Sequence, residues 1–180
     1  MRSALMMCGS PLVAAAALPC TIVVDEAHPR PTLQALVRDA DAIVVATPVR
    51  TIALPDRDRL FARGPGDDDD RLLYGTVEMR VDETIHGVVG AASLVFPGRL
   101  VETDDFNPGP APYTAARPGT QTGACFAYEY RGGASHVLFL KRSHNGALTP
   151  YWAPLQPVNE QLRGGADPWL AWVRGQVAAK

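Results

Sequence analysis

Four histidines, three cysteines and a few clustered carboxylates are the side chains of this chain that could carry chemistry. His28, His86, His136 and His144 lie far apart, in strand, turn or proline-rich surroundings. None stands in a His-x-x-x-His spacing, no Cys-x-x-Cys occurs, and no Gly-x-Ser-x-Gly elbow presents a nucleophile. His86 and His136 are the pair that neighbouring strands could bring together for a metal or a proton; partly exposed turn and strand histidines are the plainer account. Glu78, Asp82 and Glu83 could serve as paired carboxylates in acid–base work. Arg80 stands between them on a polar alternation, so surface charge pairing explains them better. Cys125 has no visible base or positive neighbour to activate it. Gly132-Gly133 and Gly164-Gly165 are not followed by the Lys-Ser or Lys-Thr of a phosphate loop. Asp67, Asp68, Asp69 and Asp70 repel one another and lack the alternating ligands and sharp glycine turn of a calcium loop. No catalytic residue, metal or cofactor is expected.

Composition narrows the class of protein. A hydrophobic fraction of 47% over 180 residues suits one globular domain with a proper core. The net charge of -2, with no basic stripe, argues against nucleic acid as a partner. Sixteen glycines and sixteen prolines favour turns and short strands over long helices.

Residues 1–19 read as a signal peptide: Arg2, a small apolar run from Ala4 to Leu18, and the small-x-small Ala15-Ala16-Ala17. Gly9, Ser10 and Pro11 interrupt that run too early for a membrane span. Residues 20–180 then form a single exported domain, addressed to the periplasm, the outer envelope or the medium. Cys8 leaves with the signal, and Cys20 and Cys125 remain. An oxidising compartment would join them in a disulfide worth roughly 4 to 5 kcal/mol by chain entropy. The other outcomes are two unrelated thiols, or a lipid-acylated Cys20 with Cys125 free. Pro19 departs from the small residue that usually precedes a lipidated cysteine. Only such acylation would tie the mature chain to a membrane.

Periodicity predicts the elements. Thr32 caps a short helix through Leu33, Leu36 and Val37, ending at Asp39 to Asp41. Ala42 to Ala53 is β-branched and strand-like, with Pro48 at a bulge or an edge. Pro55 to Arg71 is a polar loop. Leu72 to Phe96 holds two strands around a corner bracketed by Gly87 and Gly90. Pro97 to Gly123 lacks apolar periodicity and reads as a long surface loop. Phe126 to Tyr130 is a short strand. Ser135 to Arg142, apolar on both faces, is a central strand. Asn145-Gly146 turns the chain into an edge strand from Leu148 to Leu155, and Asp167-Pro168 opens a C-terminal helix. Trp152, Trp169, Trp172, Tyr128, Tyr130 and Tyr151 would fill the seam beneath that helix, or line a groove for a peptide or glycan. Tyr113, in the long loop, is the tyrosine packing does not obviously claim. With Asp67 to Asp70 it marks the candidate binding surface.

Three stretches carry a resemblance. Arg38-Asp-Ala-Asp-Ala-Ile-Val-Val-Ala-Thr-Pro-Val49 resembles the opening of bacterial exported proteins related to the tissue inhibitors of metalloproteinases. Val77 to Gly87 looks like the second strand and turn of that group. Cys125 ahead of His136-Val-Leu-Phe-Leu140 is similar to its cysteine and following strand. The resemblance implies the netrin-module fold: mainly β, a five-stranded OB-type Greek-key barrel, here with a short N-terminal and a C-terminal helix packed on it. The animal inhibitors chelate a protease zinc through an N-terminal cysteine. This chain lacks their Cys-x-Cys start, since Thr21-Ile22 follow Cys20. The expected function is therefore a non-catalytic exported binding domain of the bacterial envelope with a protein or peptide partner. The alternatives are an inhibitor of an extracellular metalloprotease and an envelope enzyme with an unrecognised site.

Overall fold

A computed structural model describes residues 31–54, 75–121, 126–152 and 155–180. Thr32 begins the first helix, α1 (Leu33–Asp39), its hydroxyl oxygen accepting from the Ala35 amide at 3.1 Å. Ala40 turns to extended backbone, and β1 (Ala42–Ala53) follows at once. β2 (Thr76–Gly87) and β3 (Ser93–Pro97) complete an antiparallel meander. Gly87 has φ +78°, and a Cβ there would collide with the Asp41 carbonyl, so the corner closes only on glycine. The β1–β2 ladder shifts register at four places, one of them between Pro48 and Arg50. Each bulge adds local twist, so this part of the sheet coils rather than lying flat.

The chain then makes a long excursion through β4 (Arg99–Val101) and β5 (Glu129–Arg131), which pair in parallel. It returns as β6 (His136–Arg142), antiparallel to Ala42–Ala46 of β1. β7 (Leu148–Pro150) and β8 (Asn159–Gln161) share the other edge of β6, and α2 (Pro168–Ala178) ends the described chain. The main sheet has six strands, ordered β3-β2-β1-β6-β7 with β8 beside β6. No helix among the described residues is long and apolar enough to cross a membrane.

Two apolar clusters lie on opposite faces of the central strands, as the period-2 geometry of a strand requires. Ile43, Val45, Val137 and Phe139 point to the helices, where Leu36, Val37, Trp169, Leu170 and Val173 cover them. Ala42, Val44, Ala46, Leu138 and Leu140 point the other way, against Val77, Met79, Phe96 and Tyr130. β6 is therefore buried on both faces, as its apolar run predicts. At about 25 cal/mol per Å² of apolar surface, a fully buried Leu or Phe contributes roughly 1.5 to 3 kcal/mol.

Three expectations change. The sheet has six strands, and among the described residues its ladder does not close into a barrel. β3 and β7 approach each other, but β3 ends at Pro97 and β7 at Pro150, which have no N–H to donate. The stretch after Pro97 is not a plain surface loop: it holds β4, and Asn107, Tyr113, Arg117 and Thr120 are buried in it. The last strand is β8, an all-polar segment outside the predicted elements.

Candidate functional site

The excursion from Glu102 to Gln121 has little apolar periodicity, so polar anchors shape it. Arg117 is fully buried at its centre. Its Nε donates to the Asn159 carbonyl (2.9 Å), one Nη to Asp105 Oδ2 (2.6 Å) and the other to the Ala127 carbonyl (3.0 Å). The guanidinium lies 5.4 Å from the Tyr130 ring centroid. A planar fork with five donors suits three separate acceptors, where an ammonium would not. The desolvation cost of a buried cation makes this pairing obligatory. Asp105 also accepts from the Gly119 amide at 3.0 Å, closing the 3-10 turn Pro118–Gln121.

β8 provides the floor of this network. Glu160 Oε1 accepts from the Arg117 amide and Oε2 from Asn107 Nδ2, both at 3.1 Å. Gln161 Oε1 accepts from the Asp105 amide (2.9 Å), and its amide nitrogen donates to Asp104 (2.6 Å). Asn107 Nδ2 also reaches the Ala115 carbonyl (2.7 Å), while its Oδ1 accepts from the Gly109 amide (3.0 Å) in an Asx turn. From the far side Arg163 donates to the Asn107 carbonyl (2.8 Å) and the Tyr113 hydroxyl (3.2 Å). Asn107 and Arg117, at the two ends of the loop's crown, each precede a proline, which disfavours helical backbone at both positions.

Burial pushes the Glu160 carboxyl up to about 7, against the pull of Arg117 and its two N–H donors. On the neighbouring strand, burial takes His136 down to about 3, and Arg117 adds to the effect. The Ala134 carbonyl accepts from His136 Nδ1 at 3.0 Å, which places the proton there and leaves Nε2 as a buried lone pair without a partner. Displaced proton affinities often mark catalytic groups. Here both side chains are wholly inaccessible to a solute.

Above this polar network the loop's crown forms a half-open cavity of about 270 Å³. Pro108, Pro110, Pro112 and Pro118 line it, with Asn107, Gly109, Thr114, Ala115 and Ala116. All four prolines are exposed.

The sequence candidates fall elsewhere. Tyr113, expected on the binding surface, is 2% exposed and stacks on Trp169 with ring centroids 5.1 Å apart. Trp169 stacks in turn on Trp172 at 5.0 Å, so the C-terminal helix claims that tyrosine as core. His86 pairs with Ile43 and His136 with Ala46 on opposite sides of β1, so the two do not meet. The carboxylates are in ion pairs: Arg50–Glu78 (2.5 Å), Arg80–Asp82 (2.7 Å) and Arg174–Glu83 (2.6 Å). His28, Cys20, Cys125 and Asp67 to Asp70 lie outside the described residues, and with them the disulfide, lipidation and acidic-loop expectations. Among the described residues no three His, Cys, Asp or Glu side chains are grouped to hold a metal ion. Comparison with known proteins finds no family model and no curated protein that matches this sequence.

Proposed function

We propose that this chain is a non-catalytic binding module of the bacterial envelope whose contact surface is the Asn107–Pro118 crown. The observation that carries the reading is a pocketed loop held in shape by buried polar anchors. A loop already fixed by Arg117, Asp105 and Glu160 has little ordering entropy left to lose on binding. The displaced ionisable groups are sealed beneath it, which favours a structural role for them over turnover. The strand order supports kinship with the OB-type barrel. β1, β2 and β3 form a meander, and β6 returns after a long connection to lie beside β1, which is Greek-key order. In this proposal β3 and β7 flank the seam of a five-stranded barrel, with β8 an added strand, and the domain acts after export.

Site-specific photo-crosslinking in the cell of origin tests the proposal. A photoreactive residue at Thr114, on the rim of the crown, should give a discrete protein adduct. The same residue at Val88, exposed in the β2–β3 turn, should not. Adducts from both positions alike, or from neither, would refute the crown as the contact surface.

A further inference from the structure

We propose that Asn145 is a site of self-modification: its side chain closes on the Gly146 nitrogen to a succinimide, which opens to aspartate or isoaspartate, and the β6–β7 turn assists the closure. The site lies away from the crown and does not rest on the binding reading.

The chain's three asparagines are not equivalent. Ring closure needs a following backbone N–H, room at the attacking nitrogen, and water. Asn107 is buried and precedes a proline, which has no N–H to give up. Asn159 is fully buried, its amide nitrogen donating to the Ala127 carbonyl at 2.5 Å. Asn145 is exposed, as are His144, Gly146 and Ala147 around it. Gly146 has φ +83°, and nothing lies within 4 Å of where a Cβ would stand, so no side chain crowds the attacking nitrogen.

The turn holds the side chain bent back on its own backbone. Asn145 Oδ1 accepts from the Ala147 amide at 3.1 Å, an Asx turn that folds the side-chain carbonyl over the intervening Gly146 peptide. The Ser143 hydroxyl lies 2.5 Å from the same Oδ1 and 2.9 Å from the Ala147 carbonyl. That carbonyl also accepts from the Ser143 amide at 2.9 Å, so the hydroxyl proton can swing to Oδ1 as charge gathers there. Two donors thus converge on the oxygen that turns negative when Cγ is attacked, the arrangement that stabilises an oxyanion. Nucleophile and amide belong to adjacent residues, so the attack needs no encounter. One contact opposes it. The Gly146 N–H donates to the Ser143 carbonyl at 2.8 Å and must let go, at a cost of about 1 kcal/mol for an exposed bond.

In the first step the Gly146 nitrogen gives its proton to solvent and bonds to Asn145 Cγ. The Cγ–Nδ2 bond breaks, and Nδ2 takes up a proton and leaves as ammonia. Water then adds to one of the two ring carbonyls. Opening on one side gives aspartate on the original backbone, which keeps both donors and gains a negative charge. Opening on the other gives isoaspartate, whose longer backbone disturbs the turn that sets the β6–β7 register.

The test is to age the purified chain in mildly alkaline buffer at physiological temperature and follow its asparagines by peptide-mapping mass spectrometry. The expected result is conversion of amide to acid at position 145, with positions 107 and 159 unchanged. S143A should slow conversion of the folded chain about three- to tenfold, the scale of one exposed hydrogen bond. In concentrated urea, where the turn is gone, S143A and the unsubstituted chain should convert at the same rate. No conversion at 145, or equal conversion at 107 or 159, would overturn the inference. An S143A chain that converts as fast as the unsubstituted one, or faster, would also overturn it, as would one slowed equally in urea. The position is decided without any variant, and the urea comparison decides whether the folded turn takes part.

Discussion

Glu160 and His136 occupy adjacent strands, and burial moves their proton affinities in opposite directions. Arg117, Asp105 and Tyr113 are the other ionisable groups that bear on Glu160. Folded Glu160 keeps its proton to about pH 7, whereas an unfolded glutamate releases it near 4.5. Between those values the folded chain binds more protons, so this group lowers stability as pH rises. His136 is protonated near 6.5 when unfolded and only near 3 when folded. The unfolded chain then binds more protons, so His136 raises stability with pH. From pH 4.5 to 6.5 the two slopes, each about 1.4 kcal/mol per pH unit, oppose one another. E160Q should therefore show a stability slope more positive than that of the unsubstituted chain by about that amount. Urea unfolding at several pH values across the window reads it, and parallel slopes would mean that Glu160 is ionised in the folded chain throughout. Neither group's role was legible in the sequence. Arg117 sits in a Pro- and Gly-rich stretch that reads as solvated loop, and its partners Asn159 and Glu160 lie more than forty positions away.

At the level of elements, the legible parts were those with several periods of pattern. Thr32 and Asp167 cap the two helices, β1 spans Ala42–Ala53, and β6 is central, as periodicity and capping chemistry predict. β4 and β8 escaped because three residues complete barely one alternation. β8 also breaks the rule that buried strands are apolar: Asn159, Glu160 and Gln161 are all buried, their polar atoms taken up largely by the loop above and by Tyr130 and Ala127. The Gly87 corner gives a sharp test of element geometry. G87A forces a side chain into left-handed backbone and against the Asp41 carbonyl, at a cost of about 1 to 3 kcal/mol. The melting temperature followed by circular dichroism should fall by roughly 2 to 12 °C. An unchanged melting temperature would show that the corner relaxes to accept a side chain.

For the whole molecule, the mainly β class was legible, while the strand count and closure were not: the described chain has six strands in its main sheet and two more in a parallel pair, and pairing between sheet ends depends on where prolines fall in three dimensions. The order of the strands along the chain has a kinetic consequence. β1 pairs with β2 locally, but its other edge waits for β6, about ninety residues downstream. Contacts this distant slow folding, and refolding from urea followed by tryptophan fluorescence should proceed in milliseconds to seconds, not microseconds. A microsecond phase carrying the full amplitude would contradict that. Until β6 arrives, the β1–β3 meander leaves the Ala42–Ala46 edge open, an apolar row of unpaired amides able to join another chain. The half-made molecule is thus more adhesive than the finished one, and a nascent chain of this design depends on being kept apart from its neighbours until its second half has been delivered.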